Sequence, residues 1–176
     1  MADDLVSLLE HVDIMQLNCL NESAQHTFAD IAKHKKLNTS QNFLLSDADE
    51  QLLLNIPACI CALATRVAYS IVLVSPIPPK RVKLLVNRPS IGFEDVEDAE
   101  EPEVAQILDL SEDDVKNGKP IALRYVRFQN ANSLHIFVVS NQGGTDETRI
   151  DAVDVLGIPV ETTKDLAGLR QEEHNH

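Results

Sequence analysis

Between Asn130-Ala131-Asn132 and Gly143-Gly144, the stretch Leu134 to Val139 is apolar at every position except His135. A run this short between turn-forming residues suits a strand, and apolar side chains on both sides of its pleat mean that both faces are covered. Such a strand needs neighbours, and the chain supplies them. Arg81 to Asn87 alternates, with Val82, Leu84 and Val86 on one side and Arg81, Lys83 and Asn87 on the other. Gln51 to Ile56 repeats the pattern with Leu52, Leu54 and Ile56 inward. Ile121 to Phe128 and Arg149 to Val155 read as further strands, and Ile56 to Pro79 as one or two buried ones. Pro120 and Gly157-Ile158-Pro159 add turn chemistry. At least six strands, without repeated strand–helix alternation, predict an all-β antiparallel sandwich of jelly-roll type with short peripheral helices.

Leu5, Leu8, Leu9 and Val12 have the spacing of one helical face, so residues 1–15 are expected to form a helical cap on a sandwich spanning 16–160. Ser111-Glu112-Asp113-Asp114 has the form of a capping box and Gly118 suits a helix end, which predicts one short internal helix. Residues 161–176 have little apolar pattern and end in charge, and are expected to be a mobile tail. A chain of 176 residues can bury roughly two-thirds of its unfolded surface. With 4% aromatic residues and no Trp, its core must be built from Leu, Ile, Val and Ala.

The net charge of −13 is concentrated: Glu94 to Asp114 holds eleven of the 28 acidic residues and no Lys or Arg, leaving 17 acidic against 15 basic residues elsewhere. That field disfavours phosphate backbones, so no nucleic-acid partner is expected. The segment reads as a solvated loop or as a contact for a basic partner. Arg66 and the prolines at 57, 76, 78 and 79 interrupt the apolar run from Ile56 to Pro79, so no membrane span is expected.

Cysteines at 19, 59 and 61 are an odd number with no secretory signal ahead of them, since Met1-Ala2-Asp3-Asp4-Leu5 lacks a basic start, which predicts a reducing cytoplasmic or nuclear setting. Cys59-Ile60-Cys61 is C-x-C in an apolar run and reads as inert thiol rather than a redox motif. No hydrolase, zinc-protease or phosphate-loop motif occurs, so no enzymatic activity and no cofactor are expected.

Asp47, Asp49 and Glu50 could be read as ligands for a hard cation, but the chain enters a strand at Leu52, without the glycine and distal glutamate of a calcium loop. Capping a turn through backbone N–H groups is the preferred reading. Arg124 and Arg127 fall on opposite faces of the expected strand, for structural pairing or for a partner. His174 and His176 lie at the end of the tail, where a neutral imidazole could ligate a partner's zinc although the fold itself is expected to hold no metal.

Several ordered blocks carry a resemblance: Cys19-Leu20-Asn21-Glu22-Ser23, Ser46-Asp47-Ala48-Asp49-Glu50-Gln51-Leu52-Leu53, Pro79 to Leu84, Asp109 to Asp114, and the long block from Arg124 to Gln142 followed by Thr148-Arg149-Ile150. Together they resemble the PITH domain, a module found free-standing and as the C-terminal half of thioredoxin-like proteins. The resemblance implies a jelly roll related in shape to galactose-binding domains, with 26S proteasome binding as its characteristic activity. It also suggests that His176 could approach the open metal position of the proteasome's zinc-dependent deubiquitinase. The chain looks like the free-standing form, with no thioredoxin domain ahead of Met1, and Ala58 to Ser70 departs from the family pattern. A monomeric, non-catalytic interaction module is therefore the expectation. The rival readings are a small-ligand or carbohydrate-binding sandwich, disfavoured by the scarcity of aromatic platforms, and a thiol enzyme using Cys19.

Overall fold

The computed structural model describes residues 6–7, 9, 12–32, 42–56, 67–77, 79–88, 90–128 and 133–158. The strands are β1 (Val6–Ser7), β2 (Asn18–Leu20), β3 (Leu44–Leu45), β4 (Leu52–Ile56), β5 (Val67–Val74), β6 (Pro79–Val86), β7 (Gln106–Asp109), β8 (Ile121–Ala122), β9 (Leu134–Asn141), β10 (Arg149–Ile150) and β11 (Ala152–Ile158). Five form one sheet in the order β2-β4-β9-β6-β7, four form another in the order β1-β11-β5-β8, and β3 and β10 make a separate ribbon. Every pairing is antiparallel. Four helices of four or five residues, α1 (Phe28–Ala32), α2 (Phe93–Val96), α3 (Glu112–Lys116) and α4 (Tyr125–Phe128), sit outside the sheets.

The alternation of the sequence sets which side chains meet between the sheets. Leu52, Leu54 and Ile56 of β4, Val82 and Leu84 of β6, and Ile136 and Val138 of β9 join Leu73 and Val155 of the other sheet in one core. β9 lies at the centre of its sheet, as its unbroken apolar run requires. Its other face is apolar too: Phe137, with Leu53 and Leu85, is buried in a second cluster beneath Val96, Ala99 and Val104. The five-stranded sheet therefore has a covered outer face as well as an inner one.

Three expectations change. Instead of entering an N-terminal helix, Val6 and Ser7 pair as a strand with Gly157 and Leu156. The Ser7 hydroxyl donates to Asp154 Oδ1 at 2.6 Å. At these two residues the apolar spacing that suggested a helix is overridden by an available sheet edge. Ile121 to Phe128 is not one strand either: pairing ends at Ala122, and α4 follows. One helical turn brings Phe128, fully buried, into the same core as Leu123. The expected internal helix does form as α3, with Ser111 as its N-cap: its Oγ accepts from the Asp114 N–H at 3.2 Å, and Gly118 adopts a φ of 61°, which a side chain would strain. The expected strand at 149–155 divides at Asp151 into β10 and β11, which pair with different partners.

Candidate interaction surface

The acidic segment is not a free loop. Asp95 folds back so that its Oδ2 accepts the Gly92 N–H at 2.8 Å, starting the single turn of α2. Val96 and Val104, both fully buried, and Ala99 lie against Leu53, Leu85 and Phe137, and the ring of Phe93 meets Phe137 edge-on at 5.9 Å. Covering one such side chain is worth about 1.5–3 kcal/mol, so three apolar positions among the carboxylates suffice to seat the segment. Its carboxylates then face outward.

What fixes the segment is Lys83, which strand alternation places on this same outer face. It is 4% exposed, and its Nζ donates to the carbonyls of Ala99 at 2.8 Å, Glu97 at 2.9 Å and Val96 at 3.4 Å. One ammonium thereby satisfies the carbonyls left open where α2 ends. Sequence reading placed Lys83 on the solvent side of β6. The opposite holds, because the acidic segment roofs that side.

Arg124 and Arg127 belong to the same arrangement. Expected on opposite faces of a strand, they are brought to one loop by the turn of α4. Arg124 Nη1 meets Glu101 Oε1 at 2.9 Å, and Arg127 Nη2 donates to the carbonyls of Pro102 at 2.5 Å and Val104 at 3.2 Å. Arg88 reaches Glu103 at 3.4 Å, and Arg81 pairs with Asp109 at 2.8 Å, holding the Asp109 carboxyl below its usual range by a direct hydrogen bond. Structural pairing thus engages both predicted arginines. Glu94, Glu97, Asp98 and Glu100 remain exposed, none within ion-pair distance of a described cation.

At the 46–51 turn, Asp49 is the acidic residue with a structural role: its Oδ1 accepts the Gln51 N–H at 2.9 Å and the Asn21 Nδ2 at 2.8 Å. Asn21, in the left-handed region with a φ of 70°, also donates Nδ2 to Gln51 O at 2.6 Å and accepts the Ala48 N–H at 3.0 Å. An amide nitrogen thus occupies the place among oxygens that a cation reading would give to an ion. Asp47 is exposed, and Glu50 contributes its backbone carbonyl to the Thr148 hydroxyl at 2.7 Å. Thr148 in turn receives Asn141 Nδ2 at 3.3 Å and donates its N–H to Ser46 Oγ at 2.9 Å. The separate blocks at 19–23, 46–53 and 141–148 therefore meet in one hydrogen-bonded end of the sandwich.

The model of the PITH domain matches residues 2–174. The chain belongs to the PITH domain family. It is similar to "Thioredoxin-like protein 1" of Schizosaccharomyces pombe, 35% identical over 88% of this chain and 52% of that protein. It is also similar to "PITH domain-containing protein 1" of Danio rerio, 31% identical over 85% of this chain and 69% of that protein. The chain thus spans about half the length of the first of these relatives. In fold it is similar to the family 32 CBM from C. perfringens NanJ in complex with galactose, with a TM-score of 0.54, 10% identity, and 86% of this chain and 98% of that one covered. At that identity the likeness concerns the fold alone.

Within this PITH domain, Cys19 faces the core. It is 7% exposed, and burial, reinforced by the Glu22 carboxylate, pushes its thiol far above the ordinary range. A nucleophilic thiolate there is disfavoured. Sequence reading passed over His135, which is 5% exposed on the outer face. Its Nδ1 lies 2.7 Å from Asn55 Oδ1, and Asn55 Nδ2 donates to Asn18 Oδ1 at 2.8 Å. Its Nε2 lies 3.3 Å from Ser133 Oγ and 3.1 Å from Arg88 O. The signal was the one polar residue inside an apolar run. Among the described residues no group of three or more His, Cys, Asp or Glu could hold a metal ion, and no helix is long and apolar enough to cross a membrane. His174, His176, Cys59 and Cys61 lie outside the described residues.

Proposed function

We propose that this PITH domain is a non-catalytic interaction module of the cytoplasm and nucleus that docks as a monomer on the 26S proteasome, using the acidic segment as its principal contact. The carrying observation is that Glu94, Glu97, Asp98 and Glu100 are exposed on a backbone pinned from below by Lys83. Charges held in place cost little ordering on binding, and an acidic face steers a basic partner at long range. Family membership supports the choice of partner. His174 and His176 at the C-terminus are proposed as a second, short contact near a partner's zinc.

The test is retention of purified 26S proteasome by the intact chain, by a variant with Glu94, Glu97, Asp98 and Glu100 changed to their amides, and by a version lacking 174–176, each at two salt concentrations. Loss with the amide variant, and weakening of the intact chain at high salt, supports docking through the acidic face. Loss only on removing 174–176 moves the contact to the C-terminus. No retention by the intact chain sinks the proteasome reading and favours the carbohydrate-binding alternative that the fold suggests, to be followed by a glycan screen.

A further inference from the structure

We propose that Ser111 is a phosphorylation site for an acidophilic serine/threonine kinase, one whose substrate groove is lined by basic side chains. The proposal does not depend on the docking reading. Ser111 is followed by Glu112, Asp113 and Asp114 and preceded at two residues by Asp109. A carboxylate three residues after a hydroxyl is not rare: among the described residues Ser7, Thr27, Ser46 and Thr148 have one as well. The fold separates them. Ser7, Ser46 and Thr148 are 6%, 2% and 0% exposed. Each is hydrogen-bonded within the sandwich, through Asp154, through the Thr148 N–H and through Glu50 O respectively. Thr27 is half-buried, bonded to the Asp30 N–H, and followed by the apolar pair Phe28-Ala29. Only Ser111, among the described residues, combines an exposed side chain with acid at each of the next three positions.

Access is built into the same place. Ser111 follows β7, an edge strand of its sheet, so no neighbouring strand lies beyond it. A kinase groove takes an extended segment, and α3 has only five residues, too short to be stable alone. Exposed pairs, Glu112 with Lys116 and Asp113 with Lys119, together with buried Val115, hold it, and exposed pairs contribute little. The Ser111 oxygen accepts the Asp114 N–H, which leaves the hydroxyl proton free to be removed. In the transfer, Ser111 Oγ attacks the γ-phosphorus of ATP and a new O–P bond forms. The bond to ADP breaks, and the hydroxyl proton passes to the kinase's catalytic carboxylate. The phosphate oxygens can then take over the Asp114 N–H.

The experiment incubates the folded full-length chain with ATP and a purified acidophilic serine/threonine kinase, and in parallel with a basophilic one. Intact mass and peptide mapping read the product. The expected result is one phosphate, on Ser111, from the acidophilic enzyme only. Ser111→Ala should abolish it while its thermal transition shows that it folds, and Asp114→Asn, which keeps the hydroxyl, should slow it severalfold. In the urea-unfolded chain, diluted into the assay, Ser46 should become a second acceptor. Absence of phosphate on the folded chain overturns the proposal, as does equal labelling by both kinases, or labelling at Ser46 or Thr27 in place of Ser111.

Discussion

At the scale of single residues, Lys83 shows how one buried charge organises a surface. The Val96 carbonyl also accepts the Ala99 N–H at 3.3 Å, but those of Glu97 and Ala99 rely on Lys83, so truncation leaves them without it beneath the roofing segment. Lys83→Ala is expected to cost about 3 kcal/mol, within the range for orphaned buried polar groups plus lost packing. Lys83→Met, which keeps the stem, should recover part of that loss, and urea unfolding of the two variants measures the difference. His135 makes the fold sensitive to mild acid. Burial lowers its pKa in the folded protein below the ordinary value of 6.5, so the unfolded chain takes up the proton first. Its effect on stability is nil above that value and grows unfavourably as the pH falls through it toward the folded pKa. Glu22, raised by burial, acts in the opposite direction at lower pH, so the comparison must be made against a His135 variant. The midpoint of thermal unfolding is expected to fall between pH 7.5 and 5.5, and His135→Gln should flatten that dependence.

At the scale of elements, the acidic segment and α4 were both misjudged in the sequence, and for the same reason. Alternation along β4 and β6, and the two-faced apolar run of β9, were legible because each strand's inner face is decided by its own sheet. Whether the second face of β6 and β9 meets water depends instead on residues far along the chain. Val96, Ala99 and Val104 are too few among carboxylates to announce a buried element, though the unbroken apolar run of β9 demanded some cover. Likewise Arg124 and Arg127 alternate as a strand would, while only the helical turn carries Phe128 into the core. The clamp on the loop at 101–104 is unequal between the two arginines. Arg127 holds two backbone carbonyls, whereas Arg124 makes one pair with Glu101, in which its own side chain is 60% exposed. Arg127→Ala should therefore cost about 1–2 kcal/mol and speed amide exchange at Val104, while Arg124→Ala should stay below about 1 kcal/mol. Hydrogen exchange with peptide resolution separates the two.

At the scale of the whole molecule, the jelly roll has two working faces of different character. The inner face is the sandwich core, and the outer face of the five-stranded sheet is sealed by a segment that turns apolar residues inward and carboxylates outward. The likeness to a galactose complex concerns this scaffold. The five phenylalanines, the side chains suited to be platforms for a sugar, are otherwise engaged. Three are fully buried, Phe93 leans on Phe137, and Phe43 is stacked by His26 and by the Arg149 guanidinium, each at 3.9 Å. The amide of Asn141, which donates to Thr145 O at 2.9 Å and Glu147 O at 3.0 Å, has a further consequence when set beside Asn21 and Lys83. Loops closed by a dissociable ion owe their stability to mass action, and it declines as the ion is diluted. Here the nitrogen at the centre of each loop is tethered to the chain, so its effective concentration is a property of the fold and follows the protein unchanged from one medium to another.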